Sequence, residues 1–485
     1  MSTNLAKVET TSFSRLQEAP SFALHISERK LLLSIGDLAA MNAALFGALS
    51  LRERVPSSPE AYVQWFLLVS AFWLASGLLF DVYDIARAAS SLRSIRSALS
   101  AVWLSCALFL FTPYVTPVFP QRRIEALLLP LLATVGVGAW RLWYTRVFSQ
   151  PNFTQSALIV GAGWAGQTLV KALAKINNDS TSHGIGYHIL GFIDDEVNVG
   201  TGVENLPVLG DRKDLVRLVQ ELRPDELVVA ITYTETIHDE MFQAILDCRE
   251  MGISVTTMPL LYEQLTGQVP IEHAGRALYS VFRLGQPATH RPYKALRRVV
   301  DLVLSSIGCV FTAALIPLVM LANRFGSPGP IFYRQERVGK GGRRFNLVKF
   351  RSMYVDAEKA TGAVWATEDD PRITPAGRLL RKTRLDEFPQ FWNVLKGEMS
   401  LIGPRPERPE FVEQLTLQMP FYRVRHAISP GITGWAQVKY RYGASVEDSQ
   451  IKLQYDLYYI RHEGPFVDLY ILLRTAMAML GFKGR

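Results

Sequence analysis

Three observations predict a membrane α plus α/β protein: four apolar runs of bilayer length, a G-x-G-x-x-G turn between strand and helix patterns, and a basic C-terminal third rich in proline and glycine. The expected parts are a four-helix transmembrane bundle, a Rossmann-like domain on the cytoplasmic side, and a mixed, mostly helical C-terminal domain with a re-entrant membrane helix. A chain of 485 residues has room for about three domains. Apolar residues make up 49% of it, a high share for a soluble protein.

Residues 1–30 form a polar N-terminal segment, too polar for a signal peptide. Apolar runs follow at 31–51, 61–80, 98–119 and 124–145, within a transmembrane domain over 31–150. Each is about the twenty residues that cross a bilayer as a helix. Asp37, Glu125 and Arg141 interrupt them. Glu125 and Arg141 lie near run ends and are placed to snorkel, whereas Asp37 is deeper and needs a partner within the bundle. Lys7, Arg15, Arg29 and Lys30 precede the first run, and Arg87, Arg93 and Arg96 lie between the second and third. Basic residues favour the cytoplasmic side, so both ends of this unit are expected there.

From Gln155 the pattern changes. SALIVGAGWAGQTLVKAL reads as strand, glycine turn and helix, with Gly161, Gly163 and Gly166 at fingerprint spacing. YHILGFID, DELVVAI and GISVTTM supply further strands, giving a Rossmann-like domain over 151–285. Cofactor binding by these glycines is one reading. The acid expected about twenty residues beyond them arrives late, as Asp194 or Asp195, after a polar insertion around Asn177–Gly184. The alternative is a regulatory or structural module. Cys106, Cys248 and Cys309 lie far apart and offer neither a disulfide framework nor zinc spacing.

A fifth apolar run, 299–323, opens the C-terminal domain at 291–485. Arg291, Lys294, Arg297 and Arg298 precede it; Arg324, Arg334, Arg337 and Lys340 follow. Both flanks therefore favour the cytoplasmic side. Pro317 is expected to break the helix, with Ser305, Ser306 and Thr312 available for freed carbonyls. A helix that dips in and returns satisfies both facts; a spanning helix is the alternative.

Charge is uneven. Residues 1–150 carry 13 Lys+Arg against 9 Asp+Glu, residues 151–290 carry 9 against 17, and residues 291–485 carry 30 against 18. The basic third suits anionic lipid or phosphorylated substrates. No helix-turn-helix, RRM or zinc-finger signature supports a nucleic-acid partner. Within this third, Arg381–Pro406 sets the adjacent carboxylates Asp386 and Glu387 between Arg381, Lys382 and Arg384 on one side and the proline-braced Arg405 on the other. Carboxylates among arginines suit phosphate chemistry: one can attack phosphorus or hold Mg2+ while the arginines carry the phosphate charge. The plainer reading is a capped surface helix, with Asp386 as N-cap, Pro389 in the first turn and Gly397 as its stop. The motifs SPGPIFYRQERVG, FNLVKFRSM, DDPRITPAGR, MSLIGPRPE and SPGITGWAQV surround it, and YDLYYI adds Asp456. Proline and glycine beside charges fix turns and let backbone approach a ligand. The apolar stretch Phe466–Phe482, with Arg474 inside, reads as an interfacial helix or as ordinary core.

At these motifs the chain resembles the polyprenyl-phosphate sugar-1-phosphate transferases, the large monotopic phosphoglycosyltransferases that begin bacterial exopolysaccharide assembly. The resemblance covers nearly the whole chain. It implies a multi-pass protein of the bacterial inner membrane whose 291–485 domain is catalytic and cytoplasmic, and whose 151–285 domain is nucleotide- or CoA-binding-like. It implies transfer of a sugar-1-phosphate, glucose-1-phosphate first, from a UDP-sugar to undecaprenyl phosphate in membrane lipid, with UMP released and Mg2+ required. Asp386 matches the nucleophile and Glu387 its partner, expected to hold Mg2+. Arg405 matches a phosphate-binding arginine, and Lys349, Arg351 and Arg381 are expected near the diphosphate or nucleotide. Asp456 is a candidate for the polar shell. A covalent intermediate lets two anionic substrates use one site in turn, so the scheme is expected to be ping-pong. A homodimer is compatible with the sequence, which does not specify one.

Two departures stand out. The family's Ser-Pro break falls near Ala313 and Ala314, whereas the proline here is Pro317. GPRPERPEF and YGASVED differ from the GPRPHA and RGET versions of glucose-transferring relatives, which leaves galactose or an N-acetylhexosamine open as the sugar. A membrane-anchored nucleotide-sugar dehydratase would need Tyr-x-x-x-Lys, which the chain lacks. A non-catalytic scaffold of polysaccharide assembly is the remaining rival, opposed by the intact Asp386–Glu387 pair.

Overall fold

The computed structural model describes residues 26–51, 59–84, 91–117, 123–148, 155–178, 187–232, 237–273, 290–355, 357, 370–419, 421–440 and 445–480. Residues 1–25, most of the polar insertion before Gly184, Asp369, the YGA of YGASVED and the end of the Phe466–Phe482 stretch lie outside them. The chain divides into two compact units, Met1–Leu261 and Tyr262–Arg485.

In the first unit, α1 (Ile26–Ser50), α2 (Pro59–Leu79), α3 (Ser91–Phe111) and α4 (Arg123–Phe148) correspond to the four apolar runs. Each packs on the next and α4 returns to α1. Met41, Trp65, Val69, Trp73, Val102, Phe109 and Val137 form one buried cluster. All four are long and apolar enough to cross a membrane. Asp37 finds its partner in Arg141, whose Nε donates to Oδ1 at 3.0 Å. Arg141 does not snorkel: it is fully buried and also donates to the Val82 carbonyl and Ser94 Oγ.

The same unit holds a six-stranded sheet. Its strands are β1 (Gln155–Val160), β2 (Tyr187–Ile193), β3 (Gly202–Val203), β4 (Leu206–Gly210), β5 (Glu226–Val229) and β6 (Ser254–Thr257), in the order β3-β4-β2-β1-β5-β6. All pairings are parallel except β3 with β4. The helices α5 (Trp164–Asn178), α6 (Leu215–Leu222) and α7 (Asp239–Glu250) alternate with the strands, as crossovers between parallel neighbours require. Gly161 (φ +107°) makes the turn after β1, and a Cβ on Gly166 would meet its carbonyl at 2.2 Å. These glycines are needed for packing whether or not a ligand binds.

In the second unit, the 37-residue α9 (His290–Gly326), which follows α8 (Met258–Thr266), runs unbroken through Pro317. The expected break is absent, because a proline removes one hydrogen bond and bends a helix without having to end it. The hydroxyls serve earlier carbonyls: Ser306 Oγ donates to Leu302 O and Thr312 Oγ1 to Gly308 O, while Ser305 Oγ is buried without a partner. One face of α9 packs on its own domain. Asp301 accepts from Leu401 N, Gly308 lies against Phe391, and Val319 clusters with Phe350 and Leu380. The other face exposes Val299, Val303, Val310, Phe311, Leu318 and Leu321.

The remaining elements are the antiparallel hairpin β7 (Phe332–Val338) and β8 (Arg344–Phe350), α10 (Pro375–Lys382), α11 (Gln390–Lys396), β9 (Ser400–Ile402), α12 (Pro409–Gln418), β10 (Gly431–Thr433), α13 (Trp435–Lys439), α14 (Val446–His462) and α15 (Pro465–Leu480). The short strands β9 and β10 pair in parallel. Residues 262–273 belong to this unit. Val269 is buried with Phe411, Leu453 and Leu457, Trp435 donates to Gly267 O, and Arg461 pairs with Glu263. The sequence boundary at 285–291 groups this segment with the Rossmann-like domain, whereas its packing is with α12, α13 and α14.

Candidate active site

The site is assembled from four local structures. Thr374 caps α10 by accepting from Gly377 N at 2.9 Å, with Pro375 in the first turn. α10 ends at Thr383, and Arg384 then takes a left-handed conformation (φ +58°). That reversal leads into a 3-10 turn, Leu385–Glu387, which carries the two carboxylates. Asp386 is therefore not an N-cap. α11 begins four residues later at Gln390, and Gly397 (φ +82°) stops it as expected.

Asn393 fixes α11 against the hairpin. Fully buried, it accepts from Val348 N at 3.1 Å and donates to Asn346 O at 2.8 Å. Lys349, next along β8, is thereby brought to the carboxylates, its Nζ 3.4 Å from Glu387 Oε1. Arg405 arrives from the loop after β9 and places Nη2 2.5 Å from the same oxygen. That loop is held through its carbonyls: Gly431 N donates to Pro404 O at 2.9 Å, Arg337 Nη1 to Pro406 O at 3.0 Å and Val338 N to Glu407 O at 3.0 Å. A Cβ on Gly431 would meet Gly403 N at 2.1 Å, so the SPG motif is a close backbone contact.

The two carboxylates are in different electrical settings. Burial and the neighbouring Glu387 push the Asp386 carboxyl up to about 6, against the pull of Lys349, Arg381 and Arg405. Burial also opposes ionisation of Glu387, yet Arg405 and Lys349 outweigh it and hold this carboxyl well below the usual range. Lys349 is lowered by burial and partly restored by Glu387. Arg381 Nη1 and Arg384 Nε are buried without hydrogen-bond partners. Cations thus outnumber carboxylates, as a site for an anionic ligand requires.

Two expected residues lie elsewhere. Arg351 turns away from the carboxylates and braces the segment after α9, donating to Pro330 O at 2.7 Å and Ser327 Oγ at 2.8 Å. Asp456 does not touch the pair; it accepts from Arg425 Nη2 at 2.8 Å. Asn393, Arg337 and Arg425 were missed as site residues by sequence reasoning: Asn393 and Arg337 lie inside singled-out segments but nothing in their type marked them, and Arg425 lies outside every motif. Among the described residues no group of three or more His, Cys, Asp or Glu is placed to hold a metal. Mg2+ is commonly held by one or two carboxylates together with substrate phosphates. Both cation bonds to Glu387 use Oε1, so the donor set of Glu387 Oε2 and Asp386 fits that pattern.

At the glycine turn of the first unit, Asp194 Oδ2 accepts from Ala162 N at 2.7 Å, taking a donor that a phosphate would use. Gly163 has open space around it.

Residues 292–482 match the family model described as bacterial sugar transferase, and residues 78–259 match that described as CoA-binding domain. The chain is 38% identical over 261 residues to the UDP-N-acetylgalactosamine-undecaprenyl-phosphate N-acetylgalactosaminephosphotransferase of Aeromonas hydrophila, covering 54% of this chain and 60% of that protein. It is 32% identical over 303 residues to the UDP-glucose:undecaprenyl-phosphate glucose-1-phosphate transferase of Xanthomonas campestris pv. campestris, covering 62% of each. The match thus spans about three fifths of the length of either relative. A protein of Caulobacter vibrioides named as the same glucose-1-phosphate transferase is 35% identical over 213 residues, 44% of this chain and 79% of that protein. Given that coverage and a sugar-transferase match lying over the Asp386–Glu387 turn, the chain belongs to the undecaprenyl-phosphate sugar-1-phosphate transferase family.

Proposed function

We propose that the protein transfers a sugar-1-phosphate from a UDP-sugar to undecaprenyl phosphate, releasing UMP, at the start of surface polysaccharide synthesis. The observation that carries this reading is the split pair: a buried Asp386 beside Glu387, which is tied by Lys349 and Arg405. With Glu387 engaged by two cations, Asp386 is the carboxylate left to react. At neutral pH it is ionised, because its range is pushed up only to about 6.

In the first half-reaction a carboxylate oxygen of Asp386 attacks the β-phosphorus of the UDP-sugar. A new P–O bond forms, the bond to the bridging oxygen breaks, and UMP leaves with the electron pair. Arg405, Lys349 and Arg381 offset the charge gathering on the phosphoryl oxygens. In the second, a phosphate oxygen of undecaprenyl phosphate attacks the same phosphorus and Asp386 is regenerated. One site serves both anionic substrates in turn, which makes the scheme ping-pong. Glu387 would hold Mg2+ jointly with substrate phosphate. When bound, the ion reduces repulsion between the attacking carboxylate and the diphosphate.

The apolar face of α9 supports a membrane anchor that keeps this unit on the cytoplasmic side, where UDP-sugars are. Glucose is the first sugar to test, and N-acetylgalactosamine, named for the Aeromonas relative, and galactose are the alternatives. The test is a panel of UDP-sugars with undecaprenyl phosphate and Mg2+, scored by UMP release. One sugar should support release, and Asp386→Asn should abolish both release and the radiolabelled phosphosugar adduct. An active Asp386→Asn enzyme sinks the mechanism.

A further inference from the structure

The geometry points to Arg425 as a positioning residue that sets Arg405 for the transfer reaction, with Asp456 as the anchor that holds Arg425. The inference rests on the transferase reading above. Arg425 lies in the 3-10 turn Tyr422–Ala427, within the connection between α12 and β10, and is buried. Its Nη2 donates to the Arg405 carbonyl at 2.9 Å and to Asp456 Oδ2 at 2.8 Å. Its Nη1 donates to the Tyr422 hydroxyl at 2.6 Å, and its guanidinium carbon sits 5.0 Å from the Tyr422 ring centre.

This arrangement has a specific consequence. The carbonyls of Pro404, Arg405, Pro406 and Glu407 each accept a hydrogen bond. At Arg405 that bond comes from Arg425. The prolines on either side restrict the backbone further. The side chain that grips Glu387 therefore leaves a backbone fixed from behind by a second arginine. Asp456, on α14, fixes that arginine in turn, and its burial makes an alternative partner for Arg425 costly. A planar guanidinium can meet the Arg405 carbonyl, Asp456 and Tyr422 together; a lysine ammonium cannot reproduce this fork. Small displacements of a charge-stabilising group cost rate steeply, because stabilisation depends on preorganised geometry.

The test is a double-mutant cycle on the full chain in detergent, with the UDP-sugar that supports UMP release. Arg425→Lys should lower the saturated rate of UMP release about tenfold or more. Its melting temperature should stay close to that of the parent. Arg405→Ala should lower the rate further. Adding Arg425→Lys to Arg405→Ala should change it less than about twofold, because the group being positioned is already gone. Where the Arg405→Ala rate is too small to measure, the dissociation constant of UDP with Mg2+ gives the same cycle. Asp456→Asn keeps the volume and one acceptor oxygen, and should repeat the pattern if Arg425→Lys does not fold. A general structural role predicts losses that multiply in both backgrounds. Multiplying losses, or a folded Arg425→Lys enzyme at full rate, overturn the inference while leaving the transferase reading intact. A parent enzyme that releases UMP from no UDP-sugar overturns both.

Discussion

His426 stands beside Arg425 and Arg423 and stacks edge-on against Tyr422, so a proton on its ring is unwelcome. Burial first, then the two arginines, lower its pKa to about 4. An unfolded histidine titrates near 6.5. Below that pH the unfolded chain takes a proton that the folded one refuses. Stability from this residue is therefore complete above about 6.5 and is lost as pH falls toward 4. His426→Gln should flatten the fall of the melting temperature between pH 7 and pH 5; a variant curve parallel to the parent's refutes the assignment. At this scale the site was half legible. Asp386, Glu387 and Arg405 share one short segment, so local order in the chain exposed them, whereas Lys349 was expected only through the family resemblance. Arg351 lies two residues beyond Lys349, past the end of β8, and its contacts are with Pro330 and Ser327. Nothing in residue type reveals that difference. Asp456 and Arg425 meet across 31 residues, a relation only the folded chain contains.

The helices of the first unit show a different dependence. Apolar content found all four, because bilayer length and composition are properties of the segment alone, although α3 begins seven residues before the run at 98–119 and ends eight before its close. The contact that locks α1 to α4 was only partly legible: Asp37 needed a partner, but Arg141 looked like an end residue. A buried ion pair stabilises little in net terms, yet breaking it leaves a buried charge and costs about 3–5 kcal/mol. Arg141→Met should therefore open the helix cluster, and Asp37→Leu with Arg141→Met should close it again. Cys106 lies 1% exposed in that cluster and reports on it. Maleimide labelling of Cys106, read by peptide mass, should rise in the single variant and return toward the parent level in the double. Equal labelling in all three proteins would mean that the pair does not hold α1 to α4. The segment 262–273 was misread for the converse reason. It follows strand-helix sequence, and only its packing on α12, α13 and α14 shows which core it completes.

For the whole molecule, the decisive quantity is how α9 meets the membrane. Its length and hydropathy allow it to span. Its contacts argue otherwise. From Arg297, which bonds Ser400 and Glu463, to Val319, which packs on Phe350, one face is covered by its own domain. At 1.5 Å per residue that is roughly 33 Å, about the thickness of a bilayer core. A spanning α9 would draw β9, α11 and Asp301 into hydrocarbon, where polar groups lacking partners cost several kcal/mol each. We propose that α9 lies with only its exposed face in lipid, which keeps those groups out. On that proposal the basic flanks have a single requirement: Lys294 and Arg334 face the cytoplasmic side, where the proposed UDP-sugar substrate is. Cysteines introduced singly at these two positions, in a chain whose native cysteines are replaced, should both react with an impermeant maleimide in inverted vesicles. Neither should react in right-side-out vesicles. Labelling of one position from each side would establish a span. It would also put the Asp386 site on the face away from the cytoplasmic nucleotide, so the anchoring and the chemistry are tested by one experiment.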